Sequence, residues 1–450
     1  MAEDRFGMEL SSHNSAAITS FDQALDAFLK HEPGALDHLA TALQADPDFA
    51  AAHAIKGLFH ILQAREEPAV LAGNALAAAI RTAQAQTLTH GEQVLAPALA
   101  AGCKGQWMKA ADILEAGLDP QKPHAPTIKI AHSLRFMAGD VGGLLTLTEP
   151  YAARTNDEIP GLGFILGCHA FALEESGRFG EAEPLAQTAL HREPKDIWAM
   201  HALAHVYDVT NRTGEGLLWV ESGRQQWAQC NNFSNHMSWH LALFCLDRGK
   251  YDRVVDIYDN DLNINRTGDF RDFANAVSLL VRLQQMGVDI GSRLKALHAE
   301  ARDRAADTTY VYASLHNLLV LLANKDFKNA QQLTVAMRQM ATEDTSEQAR
   351  VARIIGVPLA EAFLTVADGP ATFTGLAELA HHLQALGGSF VQRDLFLRAM
   401  IVMADDVCDH TTTSSLIKLR TVLRHEDAFT RLIENRICFG GSSSDILHVA

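Results

Sequence analysis

The amino-acid sequence predicts an all-α fold in which helix-turn-helix repeats stack into an α-solenoid. Hydrophobic residues make up 48% of the 450 residues and charged residues 20%, and β-branched runs are few. This composition is typical of soluble, helix-rich proteins. A second observation is an internal pattern with a period of about 34 residues, which is typical of helical repeat arrays. Because no low-complexity linker interrupts the chain, we predict one continuous solenoid over residues 1–450.

The clearest repeat covers residues 166–196, LGCHAFALEESGRFGEAEPLAQTALHREPKD. Gly177 stands where such a repeat turns between its two helices, and Pro194 stands where the second helix ends. Further units begin at Ile197 and near Asn235, each with apolar residues at helical spacing. These units look like tetratricopeptide repeats, in which apolar, glycine, aromatic and proline residues recur at fixed places.

The repeat pattern is not uniform along the chain. We predict recognisable repeats over residues 30–260, with Gly57 at a point where two helices pack closely. Beyond them, residues 261–435 keep helical apolar spacing without the period and are expected to form degenerate helical pairs. Their turns are predicted at Gly287, at 325–326 and at 387–388. Residues 436–450 are expected to form a polar C-terminal tail.

Charge and cysteine usage exclude several classes of function. The formal net charge is −16, so neither a nucleic acid nor an anionic membrane is expected as a partner. No apolar run approaches the roughly 18 to 20 residues that cross a bilayer, and the N-terminus lacks the blocks of a signal peptide. The six cysteines form no CxxC pair, which is typical of reduced thiols. We therefore expect a cytoplasmic protein.

Several stretches together resemble one family. They are DPDFAAAHAIKG, AFALEESGRFGEAE, HALAHVYDVTNRTGEGLLWV, NHMSWHLALFCLDRGKYDRVVDIYD and LGGSFVQRDLF. They are similar to the tetratricopeptide repeat protein 38 family, and the similarity runs along most of the chain. The resemblance implies the fold and a cytosolic character, and no defined chemistry. Two positions depart from the family pattern: Phe390 stands where a polar residue, often histidine, is expected, and Asn275 where an acidic residue is common.

Two HxxxH pairs are the most distinctive feature of the central repeats. In stacked repeats the first helix of each unit lines the concave groove. Counted from the starts of their units, His201, His205, His236 and His240 all fall on groove-facing positions of consecutive first helices. We therefore expect the four imidazoles to share one cavity. A groove-facing His205 would be removable at little cost in stability.

The spacing of these histidines suits a metal ion. Residues four apart on a helix face lie about 5 to 6 Å apart at Cβ, close enough to chelate one ion. A divalent transition metal such as zinc binds imidazole nitrogen and accepts a carboxylate ligand, a part that Asp208, Glu174 or Glu175 could supply. No HExxH glutamate is present. The bland alternative is that the histidines form hydrogen bonds across a polar groove, and a third is metal-free recognition or acid/base chemistry.

Two functions from different classes are compatible with these residues. The first is a concave pocket that binds a small molecule or peptide, with Trp198 and Trp239 stacking on it, the histidines donating hydrogen bonds and Arg393 holding a carboxylate. The second is a metal-dependent hydrolase or lyase, with the four histidines as ligands and Glu174 or Asp208 as base. The sequence leaves open whether the protein is an enzyme and whether it forms homo-oligomers. Cys168 and Cys230 are further nucleophile candidates, although packing roles are more common for such thiols.

Overall fold

A computed structural model describes residues 2–154, 158–263, 266–367, 369 and 373–439 of the chain. The predicted all-α class is confirmed, because these residues form helices joined mainly by short turns. The strands within the described residues are β1 (Ala2–Glu3) and β2 (Glu9–Leu10), which pair antiparallel. None of the helices in this part of the chain is long and apolar enough to cross a membrane.

The helices follow one another along the chain with few long connections. In the amino-terminal half they are α1 (Ser15–Leu29), α2 (Ala35–Ala45), α3 (Ala50–Ile61), α4 (Glu66–Ala85), α5 (His90–Gln93), α6 (Leu95–Cys103), α7 (Trp107–Ala116), α8 (Ala125–Ala138), α9 (Val141–Ala152), α10 (Leu162–Glu175), α11 (Phe179–Arg192) and α12 (Ile197–Val209).

The remaining helices are α13 (Thr213–Ser222), α14 (Arg224–Trp227), α15 (Phe233–Asp247), α16 (Tyr251–Ile257), α17 (Phe270–Gln285), α18 (Arg293–Ala296), α19 (His298–Asp303), α20 (Val311–Ala323), α21 (Phe327–Glu343), α22 (Glu347–Val351), α23 (Val357–Ala367), α24 (Leu376–Ala380), α25 (Phe390–Asp406), α26 (His410–Thr421) and α27 (Ala428–Phe439). A π-helical turn, Tyr258–Leu262, follows α16, and another, Ala352–Gly356, joins α22 to α23. A 3₁₀ turn, Leu383–Leu386, precedes α25.

The chain divides into two compact units. The first runs to Val206 and includes Gln225–Asn231, and the second comprises Tyr207–Arg224 and the chain from Asn232 onward. The boundary falls inside α12. The continuous solenoid, the tetratricopeptide character and the predicted limits of the repeats stay predictions. Of the predicted polar tail, the part up to Phe439 belongs to α27, and residues 440–450 lie outside the described residues.

In the first unit, the helices of the clearest repeat turn where the sequence predicts. Gly177 lies between α10 and α11 with φ at 77°, a left-handed conformation that glycine adopts without steric cost. The next backbone N–H, that of Arg178, donates to the carbonyl of Leu173 at 2.9 Å. This bond closes the end of α10. The turn brings Leu173 and Ala182 into one apolar cluster with Val206 of α12, so α10, α11 and the start of α12 share a core.

Gly57 confirms the prediction of a close helix contact in the same unit. A Cβ atom at residue 57 of α3 would lie 2.3 Å from Cδ2 of Leu99 on α6. Real Cβ atoms do not approach carbon this closely. The absence of a side chain at Gly57 therefore allows α3 and α6 to pack.

In the second unit, the predicted turns are also confirmed. Gly287, Lys325 and both residues Gly387 and Gly388 have positive φ angles, and each follows a helix or helical turn. Ser389 then caps α25: its side chain accepts from the backbone N–H of Gln392, and the Gln392 side chain accepts from the N–H of Ser389. This capping box fixes where α25 begins.

Candidate functional site

The first unit brings two acidic residues to one histidine. Glu174 and Glu175 form the last residues of α10, and His205 lies on α12 with His201 one turn before it. Every residue of α10 is buried, so the two carboxylates end the helix inside the protein rather than in solvent. The sequence had placed Glu174 among candidate bases and ligands, and the structure places it beside His205.

The distances define a compact cluster of possible metal ligands. Nδ1 of His205 lies 3.2 Å from Oε2 of Glu174 and 3.9 Å from Oε1 of Glu175. One ligand atom from each of the three side chains lies within 4.8 Å of the others. His205 is 0% exposed and Glu174 is 2% exposed. Buried carboxylates are stable when they are paired, hydrogen-bonded or bound to a metal, so this cluster is a candidate metal centre.

Aromatic rings form one side of this cluster. The His201 ring stacks on Phe171, with centroids 5.7 Å apart and planes 15° apart. The centroids of His201 and His205 are 4.2 Å apart. Trp198 packs against Phe171 and His201 at centroid distances of 4.6 Å and 5.0 Å. These contacts hold both imidazoles in a water-poor environment, which strengthens electrostatic interactions at the cluster.

Two charged residues beside Trp198 were missed by the sequence analysis. The Nζ atom of Lys129 lies 3.9 Å above the Trp198 ring, and Oδ1 of Asp196 accepts the backbone N–H of Trp198 at 3.1 Å. Burial lowers the pKa of the Lys129 amine and raises the pKa of Asp196 to about 7. The position of Asp196 just before α12 is a recognisable capping signal. The burial of Lys129 within α8 has no comparable signal in the sequence.

In the second unit, α15 carries the other histidine pair. The Nε2 atoms of His236 and His240 lie 3.3 Å apart, so both nitrogens point to the same place. Nδ1 of His236 lies 3.2 Å from Oδ1 of Asn275 on α17. An amide oxygen only accepts hydrogen bonds, so Nδ1 carries the hydrogen and Nε2 of His236 keeps its lone pair. A metal-binding histidine is commonly oriented in this way by its other nitrogen.

Trp239 is enclosed by this pair rather than presented for stacking on a ligand. It is 0% exposed and stacks on His236, with centroids 5.3 Å apart and planes 16° apart. The guanidinium of Arg282 lies 5.5 Å from its ring. Trp198 in the first unit is likewise buried among aromatic rings. Both tryptophans therefore orient histidines in the observed packing.

Asp208 belongs to the second unit and is engaged in an ion pair. Both of its oxygens accept hydrogen bonds from Arg424, at 2.6 Å and 3.0 Å. Arg424 also donates to Asp247 at 2.7 Å and to Asp427 at 2.9 Å. To act as a base or a metal ligand, Asp208 would have to break a bidentate buried pair. The geometry favours a structural role for it.

Arg393 lies in the first turn of α25 and is buried. Its guanidinium donates to the carbonyl of Gly388, at the glycine turn before the helix. Cys168 and Cys230 carry thiols whose pKa burial raises to about 12. Because the thiolate is the nucleophilic form, neither cysteine is prepared for nucleophilic attack.

No protein-family model matches this chain. The resemblance to the tetratricopeptide repeat protein 38 family stays a prediction. His201 and His205 belong to the first unit, whereas His236 and His240 belong to the second. Their predicted sharing of one cavity likewise stays a prediction.

Proposed function

We propose that the protein binds a divalent transition metal through His205, Glu174 and Glu175 and uses it to bind or activate a small molecule. The observation that supports this function is the convergence of one imidazole nitrogen and two carboxylates within 4.8 Å, with all three residues buried. One nitrogen and two oxygen ligands suit zinc and similar borderline ions. His201 lies next to His205 and is available as a further ligand or as a proton acceptor.

The chemistry proposed for this centre is hydrolysis or elimination on a small substrate. A bound metal of this kind polarises a substrate oxygen and lowers the pKa of a bound water. The protein's own residues exclude bulk water through Phe171 and Trp198, which pack around His201 and His205. A site closed to bulk water favours a small molecule over a peptide as the ligand.

A metal-free pocket is the second candidate. The 3.2 Å separation of His205 Nδ1 and Glu174 Oε2 is also the distance of an imidazolium–carboxylate pair. Such a pair could donate or accept a proton, or hold a polar ligand, without any ion. The two candidates share the same residues and differ in whether an ion lies among them.

Metal analysis separates these candidates. Protein purified without a histidine tag would be measured by elemental analysis, and chelator-treated protein would be titrated with Zn²⁺ and with Co²⁺. We expect about one equivalent bound at this cluster, with a rise in melting temperature on Zn²⁺ addition. The absence of metal from both experiments would contradict the metal centre and leave the metal-free pocket.

A matched pair of variants locates the bound ion. Glu174→Gln keeps the shape of a proposed ligand and removes its charge, so we expect metal occupancy to fall. Glu181→Gln makes the same change on exposed Glu181, which pairs with Arg178 on α11, and should bind metal as the unmodified protein does. Equal metal affinity in both variants would place the ion elsewhere.

A further inference from the structure

The second unit contains buried arginines that the proposed metal chemistry does not use. Arg282 on α17 and Arg398 on α25 are each 2% exposed, and Arg393 on α25 is 5% exposed. A buried guanidinium normally has a carboxylate partner, because an uncompensated charge in the interior costs several kcal/mol, of order 3 to 5. The partners of these arginines therefore show whether the cluster is complete.

Arg398 and Gln285 are the residues with unfilled hydrogen bonds. Nε of Arg398 donates to Oε1 of Gln285 at 2.8 Å, which joins α25 to α17. Among the residues that the structure describes, no acceptor lies within hydrogen-bonding distance of Nη2 of Arg398 or of Nε2 of Gln285. Both side chains are buried. Two neighbouring donors therefore lack an acceptor in the same part of the second unit.

Arg282 does not draw on a carboxylate of its own. It donates to the carbonyl of Val391 at 2.8 Å and to the hydroxyl of Ser278. Its contact with Asp394 is long, at 3.9 Å. Asp394 instead accepts two hydrogen bonds from Arg420, at 2.6 Å and 2.9 Å. The charge of Arg282 is thus only partly balanced by Asp394.

The charges of the surrounding network are unequal. Five arginines and four aspartates form it: Arg282, Arg393, Arg398, Arg420, Arg424, Asp208, Asp247, Asp394 and Asp427. Each of the four carboxylates accepts hydrogen bonds from Arg420 or Arg424. One positive charge remains in excess when every group is ionised. Burial raises the pKa of Asp247 to about 7, so the excess is greater whenever Asp247 is protonated.

We propose that Arg398 and Gln285 bind the carboxylate of a small organic acid in the second unit. A carboxylate supplies one negative charge, which matches the excess of the network, and two acceptor oxygens, which match the donors at Nη2 and Nε2. Bidentate recognition of a carboxylate by guanidinium and amide donors is a strong, charge-assisted arrangement. The site is separate from the proposed metal ligands and requires no metal.

Burial and like charges keep Arg398 responsive to an anion. Burial and the nearby charge of Arg282 lower the pKa of Arg398 to about 9, which still leaves it charged at neutral pH. The aromatic ring of Phe429 lies 4.0 Å from the guanidinium carbon and covers one face. The remaining approach is therefore in the guanidinium plane, where carboxylate oxygens bind.

Acetate is the probe, and acetamide is its neutral counterpart of similar shape. With full-length, chelator-treated protein we expect acetate to raise the melting temperature in a saturable manner and acetamide to have no such effect, with chloride added to equalise ionic strength. Inorganic phosphate is a third arm. Stronger stabilisation by phosphate than by acetate would overturn the carboxylate assignment, as would stabilisation by acetamide equal to that by acetate.

Gln285→Glu tests the site within the protein itself. The new carboxylate would lie beside Arg398 and supply the missing charge, so we expect acetate to bind at least ~30-fold more weakly and the ligand-free protein to melt at a higher temperature. Gln284→Glu makes the same change at the preceding, half-buried position of α17 and should bind acetate normally. Undiminished acetate binding by Gln285→Glu, or no acetate binding by the unmodified protein, would overturn the proposal, with ordered water only at these donors.

Discussion

The imidazole of His236 donates from Nδ1 to Oδ1 of Asn275, at 3.2 Å. Asn275 is the position at which the family resemblance led us to expect an acidic residue. An amide oxygen can accept the same hydrogen bond as a carboxylate, without adding a negative charge. The bond leaves Nε2 of His236 as an acceptor that faces Nε2 of His240 at 3.3 Å. Asn275 thus sets the tautomer of the pair.

Asn275→Leu should release this tautomer. Without the amide oxygen, the hydrogen on Nδ1 of His236 loses its acceptor, and we expect a mixture of Nδ1–H and Nε2–H forms. Imidazole ¹⁵N chemical shifts of His236 measure it. Asn275→Asp retains an acceptor and should keep the Nδ1–H form. An unchanged ¹⁵N spectrum in Asn275→Leu would contradict the assignment.

His205→Ala should lose both stability and metal. The sequence led us to expect little cost in stability, but His205 is 0% exposed and packs on His201 and Phe171. Removing it leaves a cavity and unpaired neighbours, which we expect to lower the free energy of unfolding by about 1 to 3 kcal/mol. Metal occupancy should fall in parallel. Exposed His191 on α11 offers the control His191→Ala, and an unaltered melt and metal content for His205→Ala would refute the role given to His205.

Gly177→Ala and Gly180→Ala should change stability in opposite directions. Gly177 has φ at 77°, so a side chain there is strained by about 1 kcal/mol or more. A Cβ at Gly180, inside α11, would meet no atom within 4 Å, and alanine is favoured over glycine in a helix by up to about 1 kcal/mol. Chemical denaturation of both variants measures the difference. The turn assignment fails if Gly177→Ala is as stable as Gly180→Ala.

Asp196→Asn should stabilise the protein progressively as pH rises. Burial raises the pKa of Asp196 to about 7 in the folded state, whereas an unfolded aspartate titrates near ~3.9. The folded state therefore binds the proton more tightly, and this carboxyl group weakens stability as pH rises from about 4 to about 7, by up to about 4 kcal/mol. Asparagine keeps a side-chain oxygen and carries no charge.

The quantity to measure is the difference in unfolding free energy between Asp196→Asn and the unmodified protein. It should grow from pH 4 to pH 7 and then level off, because titration is complete above the folded pKa. Exposed Asp37 on α2 provides the control Asp37→Asn, which should show no such growth. A constant difference for Asp196→Asn across this range would contradict the raised pKa.

Helices and turns could be predicted because they depend on neighbours in sequence. Apolar residues at helical spacing indicated α10, α12 and α15. Gly177 and Gly287 marked turns because glycine adopts positive φ angles that other residues avoid. The repeat count also identified the histidine pairs as a set, since residues four apart share a helix face. Burial of both tryptophans was not predicted, because groove-facing positions can still be covered by other parts of the protein.

The sequence by itself therefore determined the all-α class, the turns and the histidine spacing, all of which follow from local conformational preferences. Only the tertiary structure decided which polar atoms meet. Asn275 reaches His236 across 39 residues, and Gln285 reaches Arg398 across 113. It also assigned Asp208 to Arg424 rather than leaving it available as a base. Such pairings depend on how distant helices pack, because burial makes each charge or hydrogen-bond donor seek a partner wherever the fold supplies one.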